Sequence, residues 1–197
     1  YKCLRESAPL TRKPNGVSFE QAATLPTGGL NALHFIRKAA IQPGERVLIN
    51  GGGGNIGSFA IPLARHFGAV IDYTREDFTK HGPHYDVIID VIGKAPYGAS
   101  VHALNPDGRL LIVNPRFSSM LRAPCTSIRT KKQVSCSFAN YTSEDLDYLA
   151  QLVAQDVFSP LIDQTFDLAD GAQAHRLVES GTHHGNVVFR IVADDVP

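Results

Sequence analysis

An α/β fold, a doubly wound parallel β-sheet with helices on both faces, is predicted by two features of this sequence. Short, continuously apolar runs bounded by turn residues alternate with stretches of helical period, the pattern of buried parallel strands and their crossover helices. One of those strands runs into four successive glycines, Gly51 to Gly54, which open a helical stretch. Hydrophobic residues make up 43% of the 197 and charged residues 19%, which is too apolar for a disordered chain.

The elements follow in order. Residues 1–25 carry Pro9, Pro14 and Gly16 and read as a connector. Phe19 to Ala40 has helical spacing interrupted by Pro26 and Gly28-Gly29, which predicts two short helices separated by a glycine turn. Arg46 to Asn50 is a strand, and the helix opening near Asn55 keeps Ile56, Phe59, Ala60, Leu63, Ala64 and Phe67 on one face, with a kink expected at Pro62. Strands are expected at Val70 to Tyr73, Tyr85 to Ile92, and Arg109 to Val113, the last after a turn at Asn105-Pro-Asp-Gly108. Tyr97 to Leu104 is helical. Residues 115–132 are polar, with five cationic residues, and read as a long loop before a strand at Val134 to Phe138. Thr142 or Ser143 caps a helix whose stripe is Leu146, Leu149, Ala150 and Val153, with Asp145 as capping-box partner for Thr142. A strand at Leu161 to Phe166, a helix from Asp170 to Ser180 ended by Gly181, and a strand from Asn186 to Val192 complete the chain.

Lys plus Arg and Asp plus Glu are equal at 19 each, so no basic footprint for nucleic acid or an anionic membrane surface is expected. Cys3, Cys125 and Cys136 lack CxxC spacing and read as buried, reduced thiols of a cytoplasmic protein. No apolar run approaches the roughly 18 residues of a transmembrane helix, and no signal peptide is recognisable. The opening at Tyr1 reads as the middle of a longer polypeptide.

Gly52-x-Gly54-x-x-Gly57 satisfies the dinucleotide-binding pattern in the context that gives it meaning, after a strand and into a helix. The tight turn and the close approach of a diphosphate both call for glycine, and the helix start offers its amides and positive dipole end. Gly52, Gly53, Gly54, Asn55, Ile56 and Gly57 are therefore candidate phosphate contacts. An acidic residue about 20 positions on would meet the adenosine ribose. Asp72 has that spacing, which taken alone points to NAD.

The run LPTGGLNALHFIRKAAIQPGERVLINGGGGNIGSFAIPLARHFGA, with VIDYTREDF and YDVIIDVIG after it, resembles the zinc-free, quinone oxidoreductase-like branch of the medium-chain dehydrogenase/reductase superfamily. The resemblance implies a Rossmann lobe joined to a GroES-like catalytic lobe. It divides this chain into a tail of that lobe at 1–25, a nucleotide domain at 26–160 and a return to the catalytic lobe at 161–197. It makes VIDY a third strand, so that a second strand and its helix, roughly 25 to 30 residues, are missing between Ala69 and Val70, and Asp72 loses its ribose role. It places Val91, Ile92 and Gly93 beside the adenosine half and Asn114 near the nicotinamide. Asn31 stands where many relatives have Thr near the nicotinamide, and Asn186 where relatives often have Lys. Thr27-Gly28-Gly29 lacks the metal-ligand Cys or Asp of zinc-dependent members, and no metal site is expected. His183 and His184 read as surface loop residues.

The implied activity is NADP(H)-dependent hydride transfer to a quinone or enone, with NADP(H) preferred over NAD(H). No catalytic residue is assigned, because candidate acids of such families lie on the missing lobe; Tyr73, Tyr85 and Tyr97 read as packing or surface residues. A homodimer formed through the sheet edge is expected. A non-catalytic dinucleotide-binding module and an enoyl-reductase domain of a larger synthase are the alternatives.

Overall fold

The computed structural model describes residues 3, 5, 8–71, 78 and 84–191. In chain order the elements are α1 (Phe19–Thr24), a π-helical turn (Leu25–Gly29), α2 (Leu30–Ala39), β1 (Arg46–Asn50), α3 (Asn55–His66), β2 (Val70–Ile71), β3 (Tyr85–Asp90), α4 (Tyr97–Ala103), β4 (Leu104–Ile112), α5 (Phe117–Arg129), β5 (Gln133–Cys136), α6 (Ser143–Ala154), β6 (Ile162–Asp167), α7 (Gly171–Ser180) and β7 (Asn186–Arg190). They form two compact units.

The first unit comprises Ala32–Gly52 and Ala60–Asn140 and holds a five-stranded, fully parallel sheet in the order β2-β1-β3-β4-β5. The apolar run of β3 takes the central place, where both faces are covered. Leu48, Tyr85, Ile88, Ala103, Leu104, Leu110 and Ile112 form one buried cluster on this sheet. An ion pair between Arg109 and Glu45 joins β4 to the turn that enters β1, and Glu45 also accepts the Gln42 amide at 2.8 Å.

The second unit comprises Tyr1–Asn31, Gly53–Phe59 and Tyr141–Pro197. Ser18 and Gln21 form a reciprocal capping box on α1. Thr142 caps α6 by accepting the Asp145 amide, and Leu146, Leu149, Ala150, Leu152 and Val153 are the buried face. Phe59 meets Phe158 edge-on with ring centroids 6.0 Å apart. β6 and β7 pair in parallel, with α7 between them in sequence and Gly181, at φ +66°, ending that helix. Arg190 binds Glu20 through Nη2 at 2.9 Å and Nε at 3.2 Å.

Several expectations are corrected. Residues 115–132 are not a loop: Phe117–Arg129 is helical. Its apolar residues Phe117, Leu121 and Ile128 face outward, while the helix packs through Ala123, the reverse of the usual arrangement. Gly28-Gly29 does not interrupt the helical run, because α1, the π-helical turn and α2 follow one another without a break. Asn105-Pro-Asp-Gly108 lies within β4 as an irregularity, with Asp107 at φ +63° and a register shift against β3. Val70–Ile71, which the resemblance makes a third strand, pairs directly with β1, a pairing that leaves that expectation as it stands. Asp72 and Tyr73 lie outside the described residues. Cys3 and Cys125 are exposed rather than buried, and Cys136 is half-buried, with desolvation pushing its thiol pKa up.

Leu149 is fully buried on α6, so Leu149→Ala should lower stability by about 2–5 kcal/mol in a urea titration. The Arg190 hydrogen bond, helped by the Glu20 backbone and by Ser18, holds the Glu20 carboxyl below its ordinary 4.5. A carboxyl depressed by folding stabilises above its unfolded pKa and loses that contribution as pH falls. Glu20→Gln should therefore melt below the parent at pH 7, and the gap should close as pH falls below about 4.5.

Candidate functional site

β1 brings Asn50 to the carboxyl edge of the sheet, and the chain turns at once through Gly51, at φ +95°. A side chain there would be strained, and its Cβ would stand 2.6 Å from Ile92 Cγ1. Beside this turn, Asp90 ends β3 almost fully buried. Its Oδ1 accepts from Asn50 Nδ2 at 2.8 Å and from the Gly93 amide at 3.0 Å. Asn114 Nδ2 donates to the Val91 carbonyl at 2.9 Å. Gly93, at φ +71°, lies so close to the Asn114 carbonyl oxygen that no Cβ would fit. Of the residues expected from sequence, Gly52, Val91, Ile92, Gly93 and Asn114 thus gather along the carboxyl ends of β1, β3 and β4. Ligands of open α/β sheets bind at that edge.

The rest of the glycine turn belongs to the other unit. Ser58 donates its amide to the Gly54 carbonyl at 2.9 Å, closing the first turn of α3. The amides of Asn55, Ile56 and Gly57 consequently have no acceptor within the helix. Gly53 is exposed at the tip, and a Cβ there would meet only His184 Cδ2, at 3.6 Å. Nothing in the protein demands glycine at this place, so the missing side chain leaves the tip open. Open tip and free helix-start amides together fit a diphosphate. Gly28 lies beneath, where a Cβ would displace Asn55 Oδ1 and stand 2.8 Å from the Phe59 ring. Asn31 Nδ2 is engaged along its own helix, donating to the Thr27 carbonyl at 2.8 Å.

The loop before β7 supports the turn, a role its sequence does not announce. Gly185 donates its amide to the Gly53 carbonyl at 2.7 Å, and His184 rests against Gly53. Asn186 is buried and ties β7 to the Leu161 carbonyl through its backbone amide and Nδ2, both at 2.9 Å. Some 130 residues separate these groups from the glycines, and no local periodicity links them.

Tyr85 is buried, and the Tyr97 hydroxyl is 2.9 Å from Thr126 Oγ1 with Arg122 over its ring, so both tyrosines serve packing. Among the described residues no group of three or more His, Cys, Asp or Glu could hold a metal ion, and no helix is long and apolar enough to cross a membrane.

Comparison with known proteins places this geometry. A quinone oxidoreductase from Coxiella burnetii superposes with a TM-score of 0.80 at 27% identity, over 92% of this chain and 64% of that one. A phenolphthiocerol-synthesis type I polyketide synthase of Mycobacterium marinum is 30% identical over 85% of this chain and 9% of its own length. That match runs over 200 positions but uses about 167 residues of this chain, 85% of 197, so about 33 aligned positions have no counterpart here. A 2-methylene-furan-3-one reductase of Solanum lycopersicum is 32% identical over 45% of this chain and 29% of its own length. This chain thus spans less than two-thirds of each of these relatives. The zinc-binding dehydrogenase family model matches residues 66–189, more than half of the chain. The described residues offer no donor set for the zinc in that family's name. With its parallel sheet and glycine turn, this chain belongs to the zinc-binding dehydrogenase family, within the medium-chain dehydrogenase/reductase superfamily.

Proposed function

We propose that this chain is the nucleotide-binding portion of an NADP(H)-dependent oxidoreductase that passes hydride to a quinone or enone. The observation that carries the reading is the glycine turn after β1, open at Gly53 and followed by helix-start amides without helical acceptors. In this reading the amides of Asn55, Ile56 and Gly57 hold the diphosphate, Val91 to Gly93 border the adenosine half, and Asn114 lies toward the nicotinamide. A reduced nicotinamide supplies the hydride, and the protein binds, orients and shields it. The quinone oxidoreductase and furanone reductase named above support this substrate class.

The shorter span of this chain against the polyketide synthase supports a missing second strand and helix between Ala69 and Val70. Val70–Ile71 then closes the gap by pairing with β1. The presence of residues from both chain ends in one unit supports assigning 1–25 and 161–197 to a second lobe. An enoyl-reductase domain of a larger synthase is the second reading, favoured by the polyketide synthase match over 85% of the chain.

Self-association belongs to the proposal. β5 is an edge of the sheet, and α5, which packs on β5, turns Phe117, Leu121 and Ile128 outward. An open edge beside an apolar helix face suits an isologous dimer.

Calorimetric titration of the full-length protein should give NADPH a Kd in the micromolar range, with NADH weaker. Equal affinities would remove the NADP(H) preference, and binding of neither nucleotide would remove the reading. NADPH oxidation should require an added quinone or enone; an enoyl thioester accepted in preference to both would favour the synthase reading. Light scattering should give twice the polypeptide mass, falling to a monomer in Leu121→Glu.

A further inference from the structure

We infer that Asp90 is a positioning residue of the nucleotide site, fixing the entry of the glycine turn against the 91–93 loop; this rests on the nucleotide reading above. Asp90 closes the apolar run Val87-Ile-Ile89 at the centre of the sheet and is only 3% exposed. A carboxyl buried there is costly unless donors meet it. Two donors do, and both end on Oδ1: the Asn50 amide at 2.8 Å and the Gly93 backbone at 3.0 Å.

The bond to Gly93 alone would be an ordinary local turn, three residues long. The bond from Asn50 reaches across 40 positions of sequence to the residue directly before Gly51. One oxygen thus couples two segments proposed to touch the same nucleotide. The same corner is held by backbone bonds from Val91 to the Asn50 carbonyl and from Val113 to the Asp90 carbonyl, each 3.0 Å. Those strand contacts keep the sheet in register without the carboxyl. What the carboxyl adds is the angle at which Asn50-Gly51 and Val91-Ile92-Gly93 leave the sheet. Gly93 has little freedom to absorb an error there, since it packs against the Asn114 carbonyl.

Asparagine at position 90 keeps Oδ1 as acceptor for both donors, whereas alanine leaves both without a partner. The test is NADPH affinity by calorimetry on the full-length protein, at a temperature where each variant is folded by circular dichroism. Asp90→Asn should bind within about threefold of the parent, and Asp90→Ala at least about tenfold more weakly. Asn50→Ala should lie between them, and the double variant should bind no worse than Asp90→Ala alone. A role in stability only would lower the melting temperature and leave the affinity of the folded protein unchanged. Parent and Asp90→Ala binding alike would overturn the inference, as would a deficit in Asp90→Asn equal to that of Asp90→Ala. If Asp90→Ala does not fold, Asn50→Ala decides, and parental affinity in that variant overturns the inference. A parent that binds neither NADPH nor NADH removes the nucleotide reading instead, and is recognised by the control titration.

Discussion

The constraint from which the rest follows is the reversal at the end of β1, where a buried strand must become a helix within a few residues. Gly51 makes the turn by adopting a φ of +95°, and Ile92 leaves no room for a side chain on it. The helix begins at Asn55 and closes its first turn from Ser58 to the Gly54 carbonyl, so the amides of Asn55, Ile56 and Gly57 stay without helical acceptors. Ser18 on α1 and Thr142 on α6 close their helix starts with a side chain, whereas α4, α5 and α7 begin without one. What sets the start of α3 apart is the open tip at Gly53 just before it, where a ligand has room to meet those amides.

Around this reversal the polar groups of the sheet edge serve one another before they serve a ligand. Asp90 and Asn114 spend side-chain bonds on Asn50, Gly93 and Val91; the bonds to Asn50 and Val91 join segments leaving neighbouring strands, and the one to Gly93 folds the turn after β3. Buried polar groups that are all satisfied favour a single arrangement of the backbone. The edge is therefore set in advance, and an incoming nucleotide would not have to order it. In the other unit, Gly185 on the Gly53 carbonyl and Gly28 beneath Asn55 do similar work with backbone and empty space.

Much of this is legible in the residues. The strands β1 and β3, the part of β4 from Arg109 on, the helix behind the glycines and a cap at Thr142 or Ser143 all follow from local pattern. The helix α5 escapes a local reading because charge outweighs period: Phe117, Met120, Leu121, Pro124 and Ile128 have helical spacing, yet Arg122 among them and four cations flanking them, within residues 115–132, read as loop. That apolar stripe faces outward, so the usual rule, that an amphipathic helix buries its apolar side within its own unit, gives no help. The Gly28-Gly29 pair reads as a break because glycine lowers helix propensity. Close packing on Asn55, Phe59 and Leu149 is the reason glycine is there, and that packing lies outside any local window.

What the sequence determined by itself is the kind of site: glycines at that spacing between a strand and a helix are a local matter of φ, ψ and steric room. What only the tertiary structure decided is which other residues stand around it. Asp90 against Asn50, His184 against Gly53 and Val70–Ile71 beside β1 all depend on how strands order themselves and how distant loops return. These pairings are global because burial and hydrogen-bond satisfaction are met by the whole chain at once, not within a window of ten residues.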